Sequence, residues 1–277
     1  MSEEYQYLSI IYSIGLSTTI IISCFTYYIS NKYSLVFYKN NSYLIFVFSF
    51  LFYTISILIL SFGKINALHH YVDFATHLEI LWNNYKGNGL ITLMSENFHE
   101  SNHWFAVHFT PIIYLTYIPL FMAFPIPQII PISSTFFILS SLIPLWLIMK
   151  KYLNSNLSRL LLCSFLFYPT IFYTNLYGIA YIELCIPLFL WLFYFFEKKN
   201  NIFFVVTFIL CLMIREEVAL VISFFGFYMI IRKRYIFGFI VVIISVVYFY
   251  ITINFIMPSF KSPDFQKIHI SAVWFNE

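Results

Sequence analysis

Charge is the scarcest commodity in this sequence: Asp, Glu, Lys and Arg make up 10% of its 277 residues. Soluble domains carry about 25%, so too few charges are present to cover a water-facing surface. Soluble enzymes, nucleic-acid binders and secreted disulfide scaffolds are excluded at that step. Glycine is scarce too, with seven in all, and none builds a Gly-rich phosphate loop. The four cysteines, Cys24, Cys163, Cys185 and Cys211, lie in apolar segments without CxxC spacing. That pattern argues against disulfides and thiolate-bound zinc. The N-terminus opens with Glu3 and Glu4 instead of positive charge, so no cleavable signal peptide is expected. A net charge of +3 gives no reason to expect a nucleic-acid partner.

Hydrophobic residues supply 61% of the chain, and mean hydropathy is +0.83. The expected fold class is therefore all-α, a polytopic integral membrane protein whose main partner is the lipid bilayer. A spanning helix needs roughly 20 apolar residues. Candidate spans are 8–29, 44–62, 128–149, 160–177 and 235–257, with a shorter one at 181–196. Basic residues favour the cytoplasmic side. Placing Lys32, Lys39, Lys150, Lys151, Arg159, Lys198, Lys199, Arg232, Lys233 and Arg234 there leaves five of the fifteen basic residues outside. That topology requires 109–124, with Pro111 and Pro119 inside it, to be a re-entrant or interfacial segment. It also requires 202–231 to cross twice, turning at Arg215-Glu216-Glu217. The sum is about eight transmembrane helices, with both termini outside a plasma membrane.

Sorted this way, eleven of the twelve acidic residues and all seven histidines fall outside. Acidic residues do not follow the positive-inside rule, so the skew suggests an outer-face site. The long loop 63–108 holds six of those histidines. Within it, Asp73 to Trp82 reads as helical, with Phe74, Leu78 and Leu81 on one face and Asp73 at its start. His99-Glu100-Ser101-Asn102-His103 matches H-E-x-x-H, which on a helix would present His99 and His103 to a zinc ion. Charges in a membrane-embedded turn are functional-site candidates by default, so Arg215, Glu216 and Glu217 qualify. Arg215 suits a phosphate. Glu183, early in its own span, qualifies on the same ground.

Asp73 through Asn83, His108-Phe109-Thr110-Pro111, Tyr168-Pro169 with Asn175-Leu176, and Arg215-Glu216-Glu217-Val218-Ala219-Leu220 together carry a family resemblance. They resemble an uncharacterised family of prokaryotic polytopic membrane proteins, a domain of unknown function placed in the GT-C glycosyltransferase superfamily. The likeness runs from about residue 44 to 260. It implies a GT-C-like membrane domain over 44–260 with its external loop at 63–108. An extra N-terminal helix and cytoplasmic loop (1–43) would precede it, and an external tail (261–277) would follow. It further implies transfer of a sugar from a polyprenyl- or dolichyl-phosphate carrier at the outer face, with a divalent metal as a possible cofactor. By position, Asp73 would be the general base and Arg215 the donor-phosphate ligand, with His108 and Glu217 lining the site. The family tends to carry acidic and histidine residues after Asn175-Leu176; here only Glu183 corresponds. Two other classes stay open: a non-catalytic carrier or assembly partner for lipid-linked or small solutes, and a membrane zinc protease.

Overall fold

The computed structural model describes residues 35–67, 72–93, 101–177 and 181–261, and among these it is helical with one isolated bridge, Ile91 to His103. Apolar runs of spanning length become the longest helices. Helix α1 (Leu35–Asn66) contains the candidate span Asn41–Asn66. After it, α2 (Val72–Tyr85) carries the polar stretch that begins at Asp73. The Pro-rich stretch folds as a 3-10 turn, Pro111–Tyr114, and the short α3 (Tyr117–Ala123). Helices α4 (Ile129–Ser140) and α5 (Leu142–Met149) run on as one candidate span of 21 residues, about 31 Å at 1.5 Å per residue. Helices α6 (Ser155–Leu166) and α7 (Pro169–Tyr177) meet at a 47° bend. Pro169 supplies no N–H to continue the first helix and disfavours helical backbone at Tyr168.

The remaining helices come as two hairpins. Helix α8 (Cys185–Glu197) turns back into α9 (Asn201–Leu212), and α10 (Val218–Ile231) turns back into α11 (Tyr235–Ile251). A π-helical turn, Thr252–Ile256, and α12 (Met257–Ser259) follow α11, giving the candidate span Tyr235–Ser259. Gly226 and Gly238 let α10 and α11 touch backbone to backbone. A Cβ on Gly226 would stand 2.9 Å from the Gly238 carbonyl oxygen, and one on Gly238 would stand 2.7 Å from that of Gly226. Small residues at a crossing are how helices associate where lipid removes the hydrophobic drive.

The count of about eight spans is corrected here. Three described helices are long and apolar enough to cross a membrane, or four if the bent α6–α7 pair is one span. The expected 202–231 pair is present as α9 and α10, but each helix has fewer than 18 residues. The 181–196 stretch yields a helix of 13 residues behind a 3-10 turn. The expected first span, 8–29, lies outside the described residues.

Two buried clusters organise the chain. The smaller joins Tyr53 and Ile57 of α1 to Leu142, Leu162, Leu166 and Leu176. Fully buried Asn175 pins it, accepting from the Thr135 hydroxyl and donating to the Tyr53 hydroxyl, both at 3.1 Å. The larger runs from α2 through Trp104, Tyr117 and Tyr181 to α10. At the end of the bundle away from α2, Glu197 accepts from Lys151 at 2.9 Å and from Arg232 at 3.3 Å. The loops after α5, α8 and α10 are thereby gathered at one end. Cys163, Cys185 and Cys211 are free thiols.

Candidate functional site

Helix α2 sets the first part of the site. On α2, Phe74, His77 and Leu81 share the stripe that faces the core, and all three are buried. Glu79 ties the following loop back to this helix: it accepts from the Thr92 hydroxyl at 2.7 Å and the Leu93 N–H at 3.2 Å. The loop then pairs with the strand-like 101–104 stretch, where Trp104 N–H donates to the Leu90 carbonyl at 2.8 Å. Trp104 is in turn fixed by its indole N–H on the Thr110 hydroxyl at 2.9 Å. Its carbonyl accepts the His108 N–H at 3.0 Å. His108 is thus placed by a chain of backbone and indole bonds that begins on α2.

The second part is the turn between α9 and α10. Ile112 N–H donates to the Met213 carbonyl at 3.0 Å, docking the Pro-rich turn on that loop. Glu216, buried, accepts from His108 Nδ1 at 2.8 Å and from the Phe109 N–H at 2.9 Å. Burial pushes the Glu216 carboxyl up, but those two hydrogen bonds outweigh it and hold the group below the usual carboxylate range. Arg215 Nη2 lies 2.8 Å from His108 Nε2. If Nε2 accepts there, Nδ1 carries the proton that Glu216 receives, a consistent neutral tautomer. Arg215 Nε stands 2.7 Å from Glu217 Oε1. Its N–H is not aimed along that contact and makes no hydrogen bond, so this pair attracts by charge alone. Burial raises the Glu217 carboxyl, which is less engaged than its neighbour.

His77 reaches the same neighbourhood from α2. Its ring packs edge-on against Trp104 at 4.8 Å and Tyr181 at 4.7 Å, and its buried Nδ1 has no partner. Burial first, then the nearby His108 and Arg215, push its pKa down to about 3. Sequence reading passed over His77, although it falls on the apolar 74/77/81 stripe. Tyr181, at a left-handed φ of 59°, is buried with its hydroxyl unpartnered. Glu183, also buried, accepts from the Tyr117 hydroxyl.

The other candidates have partners of their own. Asp73 sits exposed in the first turn of α2 and accepts from the Tyr177 hydroxyl. His99 and Glu100 lie outside the described residues. His103 is not on an α-helix; its Nδ1 accepts the Phe105 N–H at 3.1 Å, and its ring stacks on Phe260 at 4.6 Å. Ligand atoms of His108, Glu216 and Glu217 all lie within 4.8 Å of one another. The Arg215 guanidinium already lies against two of the three, His108 Nε2 at 2.8 Å and Glu217 Oε1 at 2.7 Å, and its charge opposes a divalent ion there.

Comparison with curated proteins and with solved structures finds no match at the sequence or fold level. A family model described as "Predicted membrane protein (DUF2079)" matches residues 68–272, a range that includes α2 and the hairpin of α10 and α11. Because the match spans both halves of the site and most of the chain, this protein belongs to that membrane-protein family of unknown function.

Proposed function

We propose that the protein is a multi-pass plasma-membrane transferase, GT-C-like in its chemistry, taking a sugar from a polyprenyl-phosphate carrier at its outer face. The observation that carries this reading is the Arg215 guanidinium, lodged in a loop between two apolar helices with His108 and Glu216 beside it. A cation held between apolar helices is suited to an anionic substrate. In the step envisaged, Asp73 takes the proton of an acceptor hydroxyl while its oxygen attacks the anomeric carbon. The bond from that carbon to the phosphate oxygen breaks, and Arg215 stabilises the phosphate that leaves. Glu216 holds His108 in one tautomer, and His108 in turn orients the guanidinium. Glu183 and Glu217 complete the acidic surroundings.

The test is turnover of a polyprenyl-phosphate-linked hexose by the purified chain. Arg215→Gln and Asp73→Asn should each lower it by roughly 100-fold at unchanged melting temperature. Full turnover in either variant ends the assigned role.

A second reading is favoured by a specific observation: every charge in the set has an internal partner. His108, Phe109 and Ile112 are bonded to the 213–217 turn, so the cluster also suits a lock in a non-catalytic carrier or assembly partner. Under that reading Arg215→Gln lowers the melting temperature and leaves no enzymatic defect to measure.

A further inference from the structure

We infer that the end of the bundle opposite Arg215 binds the phosphate group of an anionic phospholipid, in a groove between the α8–α9 and α10–α11 turns. This inference is independent of the transferase reading and uses none of its residues. Both hairpins close by the same backbone device. After α8, Lys199 N–H donates to the Phe196 carbonyl and Asn200 N–H to that of Phe195. After α10, Lys233 N–H donates to the Ile230 carbonyl and Arg234 N–H to that of Met229. Each is the paired closure that normally places glycine in the left-handed position. At the end of α2 glycine does stand there, Gly87 at φ 84°. The hairpins instead carry Lys199 at φ 57° and Lys233 at φ 64°. Strained backbone retained at two matched positions points to a use for the side chains.

Lys199 and Lys233 line one cavity of about 480 Å³, together with Arg234 and the first residues of α9 and α11. No acid lines it. The nearby carboxylate, Glu197, is already occupied by Lys151 and Arg232. Arg234 is steadied by its guanidinium lying 4.9 Å from the Phe196 ring centre. Helix α11 starts without a side-chain cap, and its first residues, Tyr235 to Phe237, line the same cavity. Beside the cations stand bare apolar side chains, Ile236 at 76% and Ile202 at 77% exposure. Cations bordered by exposed hydrocarbon fit a headgroup with its acyl chains better than a free anion.

The experiment measures melting of the purified full chain in detergent with phosphatidylglycerol, phosphatidylcholine or inorganic phosphate added. Phosphatidylglycerol should raise the melting temperature saturably, and the other two should not. The double variant Lys199→Gly, Lys233→Gly keeps the turns, so its melting temperature without lipid should be unchanged or higher. Its apparent affinity for phosphatidylglycerol should fall about 25-fold, at about fivefold for each cation lost. Equal stabilisation by phosphatidylcholine, equal stabilisation by inorganic phosphate, or undiminished lipid affinity in the variant would each overturn the inference.

Discussion

Glu216 receives the side chain of His108 at 2.8 Å on one oxygen and the backbone N–H of the next residue, Phe109, at 2.9 Å on the other. One carboxylate therefore joins the α9–α10 turn to the entry of the Pro-rich segment. Carboxylates that accept charge-assisted or backbone bonds while buried are among the stronger polar contacts in a fold.

Replacing it should separate the two acids of the turn. Glu216→Gln puts an NH2 group against one of two donors, leaving that donor buried and unpaired, at a cost of about 2 kcal/mol. Glu217→Gln removes only a half-exposed charge contact to Arg215, and should change stability by less than about 1 kcal/mol. Thermal melting of the two variants in detergent checks the order. Equal shifts would mean that Glu216 does not tie the segments together.

The α10–α11 crossing gives a sharper steric expectation. A methyl on Gly226 would meet Val242 Cγ2 at 2.7 Å and the Gly238 carbonyl at 2.9 Å. Backbone cannot rotate aside, so the helices must separate. Gly226→Ala and Gly238→Ala should each cost about 1–3 kcal/mol from overpacking, against about 1 kcal/mol gained in helix propensity. Chemical cross-linking between cysteines placed across the two helices would report the separation, and melting would report the cost.

Asn175 makes a comparable tie in the other cluster. Asn175→Leu leaves the Tyr53 and Thr135 hydroxyls buried without this partner. Loss of one interhelical polar partner in a membrane protein costs about 0.6–2 kcal/mol. Adding Tyr53→Phe to Asn175→Leu should therefore restore part of the melting temperature, a coupling readable in a double-mutant cycle.

How far the sequence reaches is clearest at particular residues. The turn at Arg215-Glu216-Glu217 is legible because charge interrupts an apolar run, and that signal survives any packing. The extent of α2 is legible from the 74/78/81 periodicity. What single-residue reasoning cannot see is which partners meet across more than 100 positions, as His108 and Glu216 do. Hydropathy likewise counts apolar stretches without seeing where a chain bends, so the stretch around Pro169 reads as one straight span although the structure bends there by 47°. Asp73 marks the opposite case. The family resemblance implies a general base at this position, whereas its hydrogen bond from the Tyr177 hydroxyl joins residues 104 positions apart and has no signal in the sequence.

His77 supplies a prediction in pH. Buried and with Nδ1 unpartnered, it is held neutral in the fold, its pKa pushed down to about 3 by burial, with His108 and Arg215 adding to the effect. In the unfolded chain a histidine titrates near 6.5. Between those values the unfolded state binds the extra proton, so acidification favours unfolding, and stability should fall as pH drops from about 6.5 toward 3. Above that window His77 contributes no pH dependence. A single group of this kind changes stability by at most about 1.4 kcal/mol per pH unit. His77→Phe keeps an aromatic ring for the edge-on contacts with Trp104 and Tyr181 and removes the proton site. The variant should melt at a similar temperature at pH 7.5 and lose less on moving to pH 5 than the natural protein does. Parallel pH profiles for the two would mean that another group sets the acid limb, and that water reaches His77 in the folded state.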